Sequence, residues 1–134
     1  MKSNTQYDVI IVGGGPAGST AGYLLAGFGY SVLILDKKIF PRDKLCGGLT
    51  TYKTRKLLER VFDETETSLI KKNIFDFSAL KYELRYKNRF MYNREVALPF
   101  YFVKRIVYDD FLLDKAKDAG VTAKEGEAVV SCKL

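Results

Sequence analysis

Changes in the texture of apolar and polar positions mark the elements of this chain. Tyr7 to Val12 reads YDVIIV, and its four consecutive β-branched residues predict a strand buried on both faces, as in a parallel sheet. Ala17, Ala21, Leu24, Leu25 and Phe28 then recur at helical spacing, with Gly27 and Gly29 where such a helix would stop. Ser31 to Asp36, SVLILD, predicts a second strand. A helix is expected over Thr51 to Val61, with Tyr52, Lys56/Leu57 and Arg60/Val61 at helical spacing. A short helix over 66–72 follows, with Asp63 or Thr65 as its cap. Period-two alternation at Leu80, Tyr82, Leu84 and Tyr86 then predicts antiparallel strands that turn at Lys87-Asn88. Val96 to Val103 reads as a third strand, which Pro99 sends to an edge or a bulge. Tyr108, Phe111, Leu112, Ala116 and Ala119 mark a helix ending at Gly120, with Asp109 and Asp110 favouring its first turn. Two short strands, 121–123 and 127–131, are expected at the end.

The segment between the first strand and helix carries the chemistry. It reads Gly13-Gly14-Gly15-Pro16-Ala17-Gly18 and lies inside a βαβ unit of about thirty residues, the context that gives a G-x-G-x-x-G pattern its meaning. Gly13 permits a tight turn. Gly15, lacking a Cβ, lets a pyrophosphate approach the backbone, and Gly18 lets helix and sheet lie close. The amides around Ala17 and Gly18 open the helix, where its dipole favours an anion. Asp36 closes the second strand, ready to accept hydrogen bonds from ribose hydroxyls, and its charge disfavours a 2′-phosphate. Gly22 adds a fourth small position for close packing, a task alanine could share. The plain alternative is a tight β–α turn with no ligand and a solvated acid.

Composition narrows the field. The chain has 134 residues, 47% hydrophobic and 28% charged, which is ordinary for one small globular domain or part of a larger one. Its formal charge of +6 is dispersed, with no Lys/Arg run longer than two, so a solvated surface is expected and no nucleic-acid partner. The absence of histidine removes His-based triads and most zinc sites, and no metal is expected. Cys46 and Cys132 have no CxxC spacing, which argues against a disulfide framework and for a cytoplasmic setting. No stretch is long enough for a signal peptide or a membrane span.

After Asp36 the pattern leaves that of a nicotinamide dehydrogenase. The stretch KKIFPRDKLCGGLTT predicts an extended loop instead of a further strand–helix repeat. The fingerprint GGGPAGSTAG, Asp36 and the run Phe40-Pro41-Arg42-Asp43-Lys44-Leu45-Cys46-Gly47-Gly48 together resemble the geranylgeranyl reductase family of FAD-dependent oxidoreductases, built like p-hydroxybenzoate hydroxylase. The resemblance is strong over residues 7–50, weak over 51–100, and resumes at Val103-Lys104-Arg105 through Asp109-Asp110-Phe111-Leu112, the family's Arg-x-x-x-Asp pattern.

The resemblance implies an α/β fold: a Rossmann-like FAD-binding βαβ unit with an inserted small antiparallel sheet, incomplete at this length. Residues 1–75 with 103–134 would form the partial FAD-binding domain, and 76–102 the start of a substrate-binding layer. It implies FAD, with the pyrophosphate on Gly13, Gly15, Ala17 and Gly18 and the adenosine ribose on Asp36 beside Lys37. Arg42 would lie near the adenosine half, Cys46, Gly47 and Gly48 nearer the flavin, Arg105 toward the phosphates, and Val129 along the adenine. Arg42 and Arg105 read equally well as surface charges. Cys46 is either a small hydrophobe or a partly ionised thiol facing the active site. Phe77, Tyr82, Tyr86, Phe90, Tyr92, Phe100, Tyr101 and Phe102 either pack the sheet or line a pocket for an isoprenoid chain.

The implied activity is reduction of C=C bonds in a prenyl chain on a lipid or pigment precursor by reduced flavin. A flavin monooxygenase or halogenase shares the scaffold, and a non-catalytic dinucleotide-binding module is the third expectation. Expected partners are the prenyl substrate, a membrane surface touched peripherally, and the rest of the enzyme or a second chain; the residues name no electron donor. At this length, uncovered sheet edges and apolar faces predict association or aggregation.

Overall fold

A computed structural model describes residues 6–133; Met1–Thr5 of the polar opening, and Leu134, lie outside the described residues. The chain divides into two compact units, 1–45 with 105–134 and 46–104, so the second is an insertion in the first.

The first unit holds a parallel sheet ordered β1-β2-β6, from β1 (Val9–Val12), β2 (Val32–Asp36) and β6 (Thr122–Glu125). Helix α1 (Pro16–Gly27) links β1 to β2, and α4 (Arg105–Asp118) leads into β6. Val32, Ile34, Phe40, Leu113, Ala116 and Val121 form the core. This is the expected Rossmann-like arrangement, with its third strand supplied only after the insertion.

Three sequence expectations change here. Burial on both faces belongs to β2; in the edge strand β1 only one face is covered, so Val9 and Ile11 pack half-buried against the core while Ile10 and Val12 stand exposed. Of the stripe Ala17/Ala21/Leu24/Leu25/Phe28, Leu25 packs half-buried against the core while the other four face outward, and α1 fully buries Ser19 and Gly22. Separation explains this. A Cβ on Gly18 would lie 1.9 Å from the Gly13 carbonyl oxygen, and one on Gly22 would lie 2.9 Å from Ile34 Cδ1. The helix sits so close to the sheet that small residues take the positions of closest approach, with Tyr23, Leu25 and Ala26 packed beside them. Alanine at 22 therefore requires the tip of Ile34 to move. Last, no strand forms over 127–131. Gly126 turns the chain at φ +78° and only Glu127 N stays tied, to Asp36 O at 2.9 Å.

The second unit holds an antiparallel sheet ordered β3-β5-β4, from β3 (Leu49–Thr50), β4 (Phe77–Tyr86) and β5 (Arg89–Phe102). Lys87 and Asn88 both take positive φ and form the expected hairpin turn. Residues from Arg89 to Phe102 make one long strand, not a short one from 96. Pro99 lies in the central strand, tolerated because the register slips between Ala79↔Phe100 and Lys81↔Glu95. Helix α2 (Tyr52–Phe62) is capped by Thr51, and α3 (Glu66–Lys71) by Thr65. α2 buries Arg55, Leu58 and Phe62, so Tyr52 and Leu57 lie on its exposed face. Arg55 is buried because its guanidinium lies between the Tyr52 and Tyr101 rings and pairs with Glu66. The hairpin aromatics pair across strands: Tyr82 with Tyr92 and Phe100, and Phe77 with Phe102. Phe77, Tyr86 and Phe90 remain more than half exposed.

Candidate functional site

The glycine turn is built by its own hydrogen bonds. Gly13, at φ +105°, donates its N–H to Leu35 O at 2.8 Å, which ties the end of β1 to β2. The Gly14 N–H donates to Asp36 Oδ2 at 2.7 Å, and Ser19 Oγ donates to Gly14 O at 2.8 Å. Gly15 caps α1 with no side chain, and Pro16 opens the helix without an N–H. The first intrahelical donor is Ser19 N, to Gly15 O at 2.9 Å, so the preceding amides of Ala17 and Gly18 stay uncapped. Uncapped amides at the positive end of a twelve-residue helix suit an anion.

Asp36 is buried beside this turn. One carboxylate oxygen accepts from Gly14 N and the other from Lys38 N at 2.8 Å. A cleft of about 300 Å³ opens at the same place, lined by Val12, Gly13, Leu35, Asp36, Lys37, Glu127, Ala128 and Val129. Lys37 is exposed at its rim. The irregular 127–129 backbone forms one wall, since it has left the sheet. Bare amides next to a carboxylate-bearing cleft fit a nucleotide joined to a diphosphate, and no side chain of the turn blocks the approach.

Arg42 lies against the turn: its Nη2 would be 3.4 Å from a Cβ on Gly15. Its Nη1 is 2.9 Å from Asp109 Oδ2, and the guanidinium lies over the Phe40 ring. Arg105 grips the same carboxylate with two bonds, Nε to Oδ1 at 2.6 Å and Nη2 to Oδ2 at 2.8 Å. Asp109 is fully buried. The sequence places Asp109 in the Arg-x-x-x-Asp pattern and expects it, with Asp110, in the first turn of the helix; α4 opens at Arg105, so both acids lie past its first turn, and Asp109 is the hub of two arginines. The i,i+4 spacing of Arg105 and Asp109 was the available signal.

The loop bearing Arg42 is anchored by β6. Phe40 N donates to Glu125 Oε2 at 2.6 Å, Gly126 N donates to Lys38 O at 3.3 Å, and Lys117 Nζ lies 2.9 Å from Glu125 Oε1. Burial alone would raise the Glu125 carboxyl, but the Phe40 amide and Lys117 outweigh it and hold it below its ordinary value of 4.5. A lowered folded value means stability that is present above that value and lost as pH falls through it. Glu125→Gln is therefore expected to cost about 0.5–1 kcal/mol near neutral pH, with the Tm gap from wild type closing as pH falls below 4.5 and through the lowered folded value. Melting curves of both proteins across pH 3–7 check this.

Cys46, Gly47 and Gly48 belong to the second unit. Cys46 is exposed, and its Sγ accepts from Gly48 N at 3.4 Å. Gly48 has a packing reason to be glycine: φ is +73° and a Cβ would lie 2.1 Å from Val103 O. Gly47 faces open space.

A family model described as an NAD(P)-binding Rossmann-like domain matches residues 11–73. An uncharacterized protein of Methanosarcina barkeri is 37% identical over 131 residues, 96% of this chain and 31% of that protein. The menaquinone reductase of Mycolicibacterium smegmatis is 54% identical over 48 residues, 35% of this chain and 12% of the reductase. Among solved structures, halogenase PltM superposes with a TM-score of 0.79 at 26% identity, covering 97% of this chain and 30% of the halogenase. The same halogenase in complex with phloroglucinol and FAD gives 0.75 at 27% identity, with the same coverage of both chains. The chain thus spans about a third or less of the proteins it matches.

Fold, turn and likeness support one class, the FAD-dependent oxidoreductase superfamily. FAD is the cofactor they support.

Proposed function

We propose that this chain is the FAD-binding part of an oxidoreductase that reduces C=C bonds in a prenyl chain carried by a lipid or quinone. One observation carries the reading: the bare-amide turn and buried Asp36 stand in one chain with the run PRDKLCGG, and a menaquinone reductase shares 54% identity over 48 residues. In this reading the amides of Ala17 and Gly18 bind the diphosphate, and Gly13 and Gly15 leave room for it. Asp36 holds the ribose while Gly14 and Lys38 fix the carboxylate's orientation. The backbone at Val129 lines the adenine. When bound, the cofactor supplies hydride chemistry, and the protein supplies position and electrostatics. Cys46 is included as an exposed thiol offered toward the substrate, and the hairpin aromatics as an apolar surface for the prenyl chain. No helix among the described residues is long and apolar enough to cross a membrane, so contact with a lipid substrate is proposed as peripheral.

The test has two stages. Purified protein is expected to retain a yellow chromophore, released on denaturation as FAD. Under anaerobic conditions with a chemical reductant, a prenylated quinone is expected to gain two hydrogens per reduced double bond, read by mass spectrometry. Absence of bound flavin would overturn the reading at its root.

A second reading has its own support, since PltM matches 97% of the chain at a TM-score of 0.79. Under it, the protein would halogenate an activated aromatic in the presence of oxygen and halide. A halogenated product with no prenyl reduction would decide for it.

A further inference from the structure

We infer that Asp109 is a positioning residue that aims Arg42 at the diphosphate-binding turn. The inference rests on the flavin-binding reading above and deepens it.

The geometry is a relay of three side chains in the first unit. Arg105 fixes Asp109 with two charge-assisted bonds at 2.6 and 2.8 Å. Asp109, with no exposed surface, presents Oδ2 to Arg42 Nη1 at 2.9 Å. Arg42 in turn sets Nη2 against Gly15, the cap of α1. The guanidinium is further held by the Phe40 ring, centred 4.8 Å away. A long cationic side chain on a loop normally samples many rotamers, and ordering it on ligand binding costs free energy. Here that ordering is already present.

Two features point past a purely structural ion pair. First, the Arg42 guanidinium lies beside the uncapped helix amides, where its charge and the helix dipole both favour an anion. Second, Asp109 takes Arg42 at Nη1 while Nη2 is the nitrogen set against Gly15, so the contact that positions the guanidinium and the contact offered to an anion fall on separate nitrogens. A diphosphate at the turn offers acceptors for the second.

The proposal makes a signed prediction. Asp109→Asn removes a negative charge, so electrostatics alone predicts tighter anion binding. Loss of positioning predicts weaker binding. The full chain and its Asp109→Asn variant are titrated with FAD, with ADP, which carries the diphosphate, and with adenosine, which does not. The variant is expected to bind ADP at least tenfold more weakly, with adenosine affinity within twofold of wild type. In an Arg42→Gln background, Asp109→Asn is expected to change ADP affinity by less than twofold, because nothing remains to be aimed. Unchanged or tighter ADP binding by the single variant overturns the inference, as does an equal loss of ADP and adenosine. If Asp109→Asn fails to fold, Arg42→Lys answers instead. Lysine keeps the charge but cannot reach Asp109 and a diphosphate with separate nitrogens, so ADP affinity should fall and adenosine affinity should hold; unaltered ADP affinity overturns the proposal. Wild-type protein that binds neither FAD nor ADP removes the flavin reading itself, and this inference with it.

Discussion

Gly18→Ala is expected to abolish cofactor binding and to lower the stability of the first unit by about 3 kcal/mol or more, the upper range for overpacking. The added methyl would sit 1.9 Å from the Gly13 carbonyl oxygen and 3.2 Å from Ile11 Cγ2. The first neighbour is backbone, so no rotamer change relieves the contact. Either α1 lifts from the sheet or the turn at Gly13 opens. Both displace the amides of Ala17 and Gly18 from the place where a diphosphate would meet them. Gly22→Ala is the control, because its closest neighbour is the flexible end of Ile34 at 2.9 Å. It should bind FAD within a few-fold of wild type. Thermal melts and flavin titrations of both variants check the contrast; equal behaviour would show that the spacing of helix and sheet is not what these glycines protect.

Asp36→Asn is expected to destabilise the first unit by roughly 1–3 kcal/mol and to weaken adenosine binding about tenfold or more. Both carboxylate oxygens already accept from backbone amides, Oδ2 from Gly14 and Oδ1 from Lys38. An amide side chain has one oxygen, so whichever way it turns it aims an NH₂ group at one N–H. The buried donor is left without an acceptor, and the ribose loses its anionic partner. The two effects separate by measurement: Tm without ligand reports the first, and the ligand-induced shift in Tm reports the second. An unchanged Tm in the ligand-free variant would contradict the observed bonding.

Much of this arrangement is legible in the residues themselves. The turn, the two parallel strands and Asp36 follow from glycine spacing and β-branched runs, which act locally. The Lys87-Asn88 hairpin is legible for the same reason. What escaped depends on distance between elements. The face that α1 buries is set by how closely it approaches the sheet, so Ser19 and Gly22 go inside while Leu24 and Phe28 stay out. Hydrophobic periodicity assumes that the greasier face wins, and here the tighter fit did. The pairing of Asp109 with Arg42 is not legible because Arg42 is remote in sequence, whereas Arg105 stands four residues away in the Arg-x-x-x-Asp pattern. The apolar run 127–131 predicts a strand from its composition alone, but Gly126 at positive φ turns the chain out of the sheet before it.

The order of strands in the parallel sheet has a consequence for biosynthesis. During translation β1 and β2 emerge early, but the outer edge of β2 must wait for residues 122–125, since Leu33 pairs with Thr122 and Asp36 with Glu125. Over that interval the nascent chain carries a two-strand stub whose highly apolar β2 border is still bare, while the inserted hairpin can already close through local contacts. The ribosome-bound intermediate is thus most exposed to a chaperone at Val32–Leu35, and pausing before α4 would lengthen that exposure.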